Sequence, residues 1–460
     1  MKRICGVMKK YKEQKILLWS IPLVLIFGLL YTNYDGTAIT KWGVLFLDAI
    51  RHGDLGNYPQ RVLDIYGSAT NYSLFVNLIT AVWLSPLYLF CEIVMHTDNI
   101  ILYELWYKGL LILVLFLDMR VFGKILQSLG FDKEKVVIGQ FLLITSAVSL
   151  ISALGKGQVD VYGLFFFLKG MEYQLQEKHI KMSLCMGVAF LIKPLVLWIL
   201  IPCYILLLGR EKKKTVLYVG ICFIPFLVDK LITIILMPEY ITISHETAQM
   251  LKKEFGGLSM FESLFYGGVN DTLPFWMLSI IICFVCYYVS THHIVKTWHC
   301  LVMPVTILLL FSIFCSVSYH WFIYIIPILV IMILKLRKIQ DGYLLMLGVN
   351  TSLTCYFLVG ELLILLPTVQ GSVYGSMHEI HYFGMQILQQ YRWMLFPVFK
   401  TAFFTCILVI LGLFSYEAIK YSKDSQIDEQ EKDGYKVTML LLQILPLFGY
   451  IILTIIKYHM

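Results

Sequence analysis

Apolar runs long enough for membrane-crossing helices recur along the chain, parted by short polar or basic stretches, from residue 16 to residue 456. A helix of about 20 apolar residues crosses a hydrocarbon core of roughly 30 Å. The runs lack the alternation of an outer-membrane barrel strand. Residues 16–31, 101–117, 136–154, 161–176, 216–237, 273–290, 300–317, 321–334, 343–366, 394–416 and 438–456 read as crossings. Two further stretches need the charge pattern to decide them. Residues 73–95 could span, but a crossing there would turn the next basic stretch, with Arg120, Lys124, Lys133 and Lys135, to the outside. They therefore read as an interfacial or re-entrant segment broken near Pro86. Residues 182–208 carry basic residues at both ends, Lys178 and Lys181 before and Arg210, Lys212, Lys213 and Lys214 after. Flanks on one side require an even number of crossings, and proline disfavours helix in its predecessor, so two short helices are expected, broken at Lys193-Pro194. The total is about 13 crossings.

Composition agrees with that pattern. Of 460 residues 59% are hydrophobic and 15% are aromatic, and mean hydropathy is +0.76, far above a soluble globular chain. The expectation is an all-α polytopic membrane protein. Its net charge of +7 sits in short stretches beside apolar runs, which marks cytoplasmic loops and membrane lipid as neighbour, not nucleic acid. Lys2, Arg3, Lys9, Lys10, Lys12 and Lys15 against Glu13 place the N-terminus in the cytoplasm, and the first apolar run reads as an anchor, without a small-residue cleavage site. The 11 cysteines fall mostly in apolar runs with no CxxC pair and no zinc-ligand spacing, so a disulfide framework and a zinc site are both unsupported. No polar stretch is long enough for an independent soluble domain. A site would have to be built from outer loops and helix ends.

Residues 32–72 concentrate polar chemistry, with Asp35, Asp48, Asp54, Asp64, Lys41, Arg51, His52 and Arg61 in a chain only 15% charged. Trp42, Val44, Leu45, Phe46, Ala49 and Ile50 suit a short interfacial helix within this first outer loop. Asp35, just past the first crossing, is either a general base or the cap of that helix. Asp48, Asp54 and Asp64 suit solvation or pairing with Arg51 and Arg61. Gln158 and Asp160 follow a crossing directly in Gly155-Lys156-Gly157-Gln158-Val159-Asp160, which fits either a polar contact to a sugar or a tight turn. Lys193 stands in the apolar FLIKPLVLW run, where an unpaired charge is expensive; it is functional, snorkelling or in a structural salt bridge. Asp229 and Lys230 suit mutual or interhelical pairing, and Glu361 is similar. Tyr319 and His320 form a hairpin tip whose histidine can meet a phosphate oxygen or anchor at the interface.

Taken in order, these features resemble the GT-C superfamily of integral membrane glycosyltransferases, which use polyprenyl-phosphate-linked sugars, and especially its bacterial mannosyltransferase-like members. The order is Asp35 after the first crossing, the aromatic-rich approach at 66–75, the basic loop with Leu129-Gly130, the Gly157-Gln158-Val159-Asp160 turn, the Gly187-Val188-Ala189-Phe190-Leu191-Ile192-Lys193-Pro194 run and the Tyr319-His320 hairpin. The resemblance implies a GT-C-type bundle with interfacial helices in the first outer loop. Residues 1–208 would be the catalytic module, and 209–460 the C-terminal transmembrane helices with outer loops 238–272 and 367–392. It implies a plasma-membrane enzyme of cell-envelope glycan assembly whose active site faces outward. Its partners would be a polyprenyl-phosphate sugar donor and a glycan or lipid-linked acceptor. Asp35 would deprotonate the acceptor hydroxyl, with Lys193, His320 and Arg51 on the leaving phosphate and Tyr72, Gln158, Asp160 and Tyr319 binding substrate. Such a lipid-linked donor needs no nucleotide site, and no nucleotide motif is present; no cofactor is certain and a divalent metal is left open, although Gly36, where the family has an acidic partner, argues against one. The first loop also has Asn71-Tyr72-Ser73-Leu74 where the family often has Pro-Pro. A lipid-linked-glycan flippase or secondary transporter is the competing class, favoured by Lys193, Asp229 and Lys230; an envelope polymerase or ligase would want more arginine in the outer loops.

Overall fold

The computed structural model describes residues 17–18, 20–29, 31–32, 34–66, 72–95, 100–208, 211–240, 242–243, 272–293, 295, 297–314, 319–360, 364–365, 377–420 and 433–459. Its helices are α1 (Ser20–Leu29), α2 (Tyr34–Arg51), α3 (Tyr58–Tyr66), α4 (Leu74–Phe90), α5 (Ile100–Ser128) and α6 (Lys133–Ile144). Then come α7 (Asp160–Leu175), α8 (His179–Ile192), α9 (Leu195–Leu208), α10 (Lys212–Leu236), α11 (Thr272–His292) and α12 (Thr297–Phe314). The chain continues through α13 (Ile326–Lys335), α14 (Ile339–Gly360), α15 (Met377–Lys420), α16 (Asp433–Leu442) and α17 (Leu445–His459). Extended structure among the described residues is one two-residue antiparallel pair, β1 (Tyr31–Thr32) with β2 (Ile364–Leu365). The fold is all-α and membrane-embedded.

Among the described residues three helices are each long and apolar enough to cross a membrane, Ile100–Ser128, Lys212–Leu236 and Pro397–Lys420. A fourth span is available if Lys133–Ile144 and Val148–Gly155, bent by 46°, count as one, and eight shorter apolar helices accompany them among the described residues. The surface of α10 shows why lipid must cover it: Val216 is 74% exposed, Ile235 68% and Leu227 60%. A continuous apolar face of that kind would aggregate in water.

Several expectations are corrected. Within residues 32–72 the helical content is larger than one short helix: α2 already starts at Tyr34, a 3-10 turn covers Leu55–Asn57, and α3 follows. Helix α4 runs unbroken through Pro86. Proline deprives the Val82 carbonyl of its helical donor, and the Ser85 hydroxyl supplies one at 2.8 Å, so no break is needed. The chain instead loosens into a π turn at Cys91–Met95. The single helix expected over 136–154 is bent, because Ser146 and Ser149 hydroxyls both donate to the Leu143 carbonyl, at 3.1 and 2.8 Å, and compete with the backbone ladder. The expected loop 367–392 is helical from Met377 onward. Most of loop 238–272, with Glu361, lies outside the described residues. The break at Lys193-Pro194 falls where expected, with Lys193 extended at φ −139°, ψ 106°.

The chain forms two compact units, each assembled from separated stretches. One comprises Met1–Asn33, Leu115–Gly157 and Ile325–Met460. In it α14 packs along α15, and α1 lies against the 148–155 turn. Buried amides knit it: Asn350 accepts from the Ala147 N–H at 3.0 Å, and Gln443 donates to the Tyr343 carbonyl at 2.7 Å. In lipid such polar contacts replace the hydrophobic effect as glue.

The other unit comprises Tyr34–Val114 and Gln158–Tyr324. Here α2 packs on α4, α7 on α8, α8 on α10, and α9 on α11 and α12. Gly187 lets α8 approach α10 closely, since a Cβ there would lie 2.3 Å from the Cys222 carbonyl oxygen. Between α4 and α5, Trp83 and Trp106 stack with centroids 5.6 Å apart, and each indole N–H donates to the other residue's carbonyl at 2.7 Å. The nine described cysteines are free thiols.

Candidate functional site

Asp35, Tyr72, Gln158, Asp160, Lys193 and His320 all belong to the second unit. Local structure accounts for several of these placements. Asp35 lies in the first turn of α2, where the helix dipole favours a carboxylate. Gly157, left-handed at φ +70°, turns the chain so that Gln158 and Asp160 arrive at the start of α7. Pro194 ends α8 and leaves Lys193 on an extended residue between two helices. His320 sits on the 3-10 turn Tyr319–Tyr324 that leads toward α13.

Two linked clusters result. In the first, the Gln158 amide donates to Asp35 Oδ2 at 2.5 Å, and the Tyr72 hydroxyl donates to Gln158 Oε1 at 3.2 Å. The Trp42 ring stands 5.8 Å from that of Tyr72. Burial among protein atoms, and then the carboxylates of Asp160 and Asp35, push the Tyr72 phenol well above the usual tyrosine range. Tyr72 is thus held as a neutral donor.

In the second cluster the Asp160 carboxylate is 1% exposed. Lys193 Nζ lies 3.5 Å from its Oδ1 and His320 Nε2 3.9 Å from its Oδ2, and neither carboxylate oxygen accepts a hydrogen bond among the described residues. Lys193 Nζ is also 3.5 Å from His320 Nε2 and 5.1 Å from the centre of the Trp321 ring. Two basic groups thus flank one buried carboxylate, with Lys193 at salt-bridge distance and neither at hydrogen-bond distance. Gln158 and Asp160, two residues apart, join this cluster to Asp35.

Arg51 is not brought to this place. It ends α2, sixteen residues from Asp35 and about 24 Å along the helix axis, and pairs with Glu92 at 2.7 Å. The side chain of Tyr319 lies outside the described residues. The other loop acids have local partners: Asp48 accepts from Tyr88 and faces Arg61 at 3.8 Å, Asn57 donates to Asp54 at 2.6 Å, and Gln60 donates to Asp64 at 2.7 Å. Asp229 accepts from the Phe75 N–H at 2.9 Å, so it pairs between helices and holds the start of α4. Lys230 lies over the rings of Phe226 and Tyr240 at 5.7 and 5.3 Å.

Sequence reasoning gave no site role to Trp42, whose ring lies near Tyr72, to Trp321, beside Lys193, or to the buried residues Glu104 and Lys108 on α5. The last two carried a readable signal, an acid and a base four residues apart inside an apolar run. Among the described residues no three His, Cys, Asp or Glu side chains converge as a metal-binding group. No family model matches the chain, and no curated protein or solved structure matches it.

Proposed function

We propose that this protein is a GT-C-type membrane glycosyltransferase that moves a sugar from a polyprenyl-phosphate donor to an acceptor hydroxyl at the outer face of the plasma membrane. The observation that carries the reading is the convergence, within one compact unit, of a part-exposed carboxylate, Asp35, and a Lys193–His320 pair, joined through Gln158 and Asp160. A base and a phosphate-binding cation pair are the two groups such a transfer needs. Asp35 takes the proton of the acceptor hydroxyl, whose oxygen bonds to the sugar's anomeric carbon. The bond from that carbon to the phosphate oxygen breaks, and the phosphate leaves on its lipid with the electron pair. Lys193 and His320 stabilise the charge that develops there, from positions fixed before substrate arrives. Tyr72 and Gln158 hold Asp35 and offer polar contacts to the sugar.

The accompanying topology is a bundle of about 13 crossings with the N-terminus in the cytoplasm and the Asp35 turn outside, the orientation that the basic loops favour. Glycan assembly in the cell envelope is the process such an orientation serves.

The test is transfer by the purified protein in lipid from a panel of labelled polyprenyl-phosphate sugars. Wild type is expected to transfer from at least one donor, and Asp35→Asn to lose about 10²- to 10⁴-fold in turnover while still binding donor. A wild type that transfers from none of them but carries labelled lipid across the bilayer would be a flippase instead.

A further inference from the structure

Helix α2 packs along α4, but the turn that carries Asp35 receives a second support from α5. The Thr37 hydroxyl donates to Glu104 Oε2 at 3.2 Å. Glu104 is 4% exposed and Lys108, one turn further along α5, is 0% exposed. The other oxygen of Glu104 is buried and accepts no hydrogen bond among the described residues. A buried acid costs too much to place in an apolar helix for a surface-type role, and Lys108 follows it four residues on in the same helix with the opposite charge. Glu104 spends one oxygen on a residue two places from Asp35.

We infer that Glu104 is a positioning residue for Asp35: it fixes the first turn of α2 through Thr37, and so aims the Asp35 carboxylate that Gln158 also holds. This inference rests on the proposed role of Asp35 as base. A base held in this way has its orientation set before the acceptor binds, and small errors in such placement cost large factors in rate.

The variant that tests the contact is Thr37→Val, which removes the hydroxyl while keeping the shape and leaving Glu104 and Lys108 unchanged. Replacing Glu104 itself would also change the charge near Lys108. In lipid nanodiscs, Thr37→Val is expected to lower kcat about tenfold with donor KM within about twofold, and Thr37→Ser, which keeps the hydroxyl, to restore most of the rate. Amide exchange over residues 34–41 is expected to speed up in Thr37→Val and to return to the wild-type rate in Thr37→Ser. Wild-type turnover in Thr37→Val, a loss confined to KM, or failure of serine to rescue would overturn the inference. Should the wild type transfer no sugar, the transferase reading fails on its own. The exchange measurement still decides the anchoring, and unchanged exchange in Thr37→Val overturns it.

Discussion

Lys193 and Asp160 each make the other tolerable. Removing one partner of a buried ion pair strands the other charge and typically costs about 3–5 kcal/mol. Lys193→Met should therefore lower the melting temperature of the protein in detergent, and adding Asp160→Asn should recover most of it, although the transfer rate stays low in both. A double variant no more stable than the single one would show that the two residues do not compensate each other. Tyr72 yields a pH prediction. Because its phenol is raised well above the usual tyrosine range, it keeps its proton throughout the working range, so the cost of Tyr72→Phe to turnover should be constant from about pH 6 to about pH 9. The sign at high pH follows: above about pH 10 the unfolded chain releases a proton that the folded protein retains, so this residue's contribution to stability declines as pH rises. Asp35, Lys193 and His320 stand out as candidates in the sequence because charge is rare in such a chain. The Tyr72–Gln158 bond does not, since 86 residues separate its partners and nothing local marks the pair.

At the level of the helix, breaks were legible only where one residue decides them. Pro194 decides the end of α8, whereas Pro86 leaves α4 intact because a neighbouring hydroxyl takes over the lost donor's place. That difference is a rotamer of Ser85, which no hydropathy pattern contains. The same holds for Gly187, whose role appears only when α10 is laid beside it. Gly187→Ala puts a methyl group against the backbone of α10, at Cys222, where nothing flexible can yield. It should destabilise the protein by about 1–3 kcal/mol, read as a lower melting temperature in detergent, with Gly220→Ala, where a Cβ meets open space, as the control. Equal melting of the two variants would mean that α8 and α10 can move apart freely. Arg51 is the instructive miss: reading 32–72 as a loop allowed it near Asp35, and the continuous helix α2 forbids it.

Over the whole molecule, the all-α membrane class follows from apolar run length alone, because a chain in hydrocarbon must satisfy its backbone within each helix. The division into two units was not legible, since each collects stretches far apart in sequence and only tertiary contacts define it. The proposed topology has its own check. With an impermeant maleimide on intact cells, Asn57→Cys should label and Ser128→Cys should label only after the membrane is opened; both native residues are exposed. The opposite result would invert the molecule and place Asp35 in the cytoplasm. Finally, the Trp83–Trp106 clasp makes the protein report on itself. Two indoles stacked 5.6 Å apart at 26° couple their electronic transitions, so the pair should give a circular dichroism couplet that Trp83→Phe and Trp106→Phe abolish equally. Since each ring holds the other's carbonyl, the couplet fades when α4 leaves α5, and its intensity follows that separation without any added dye.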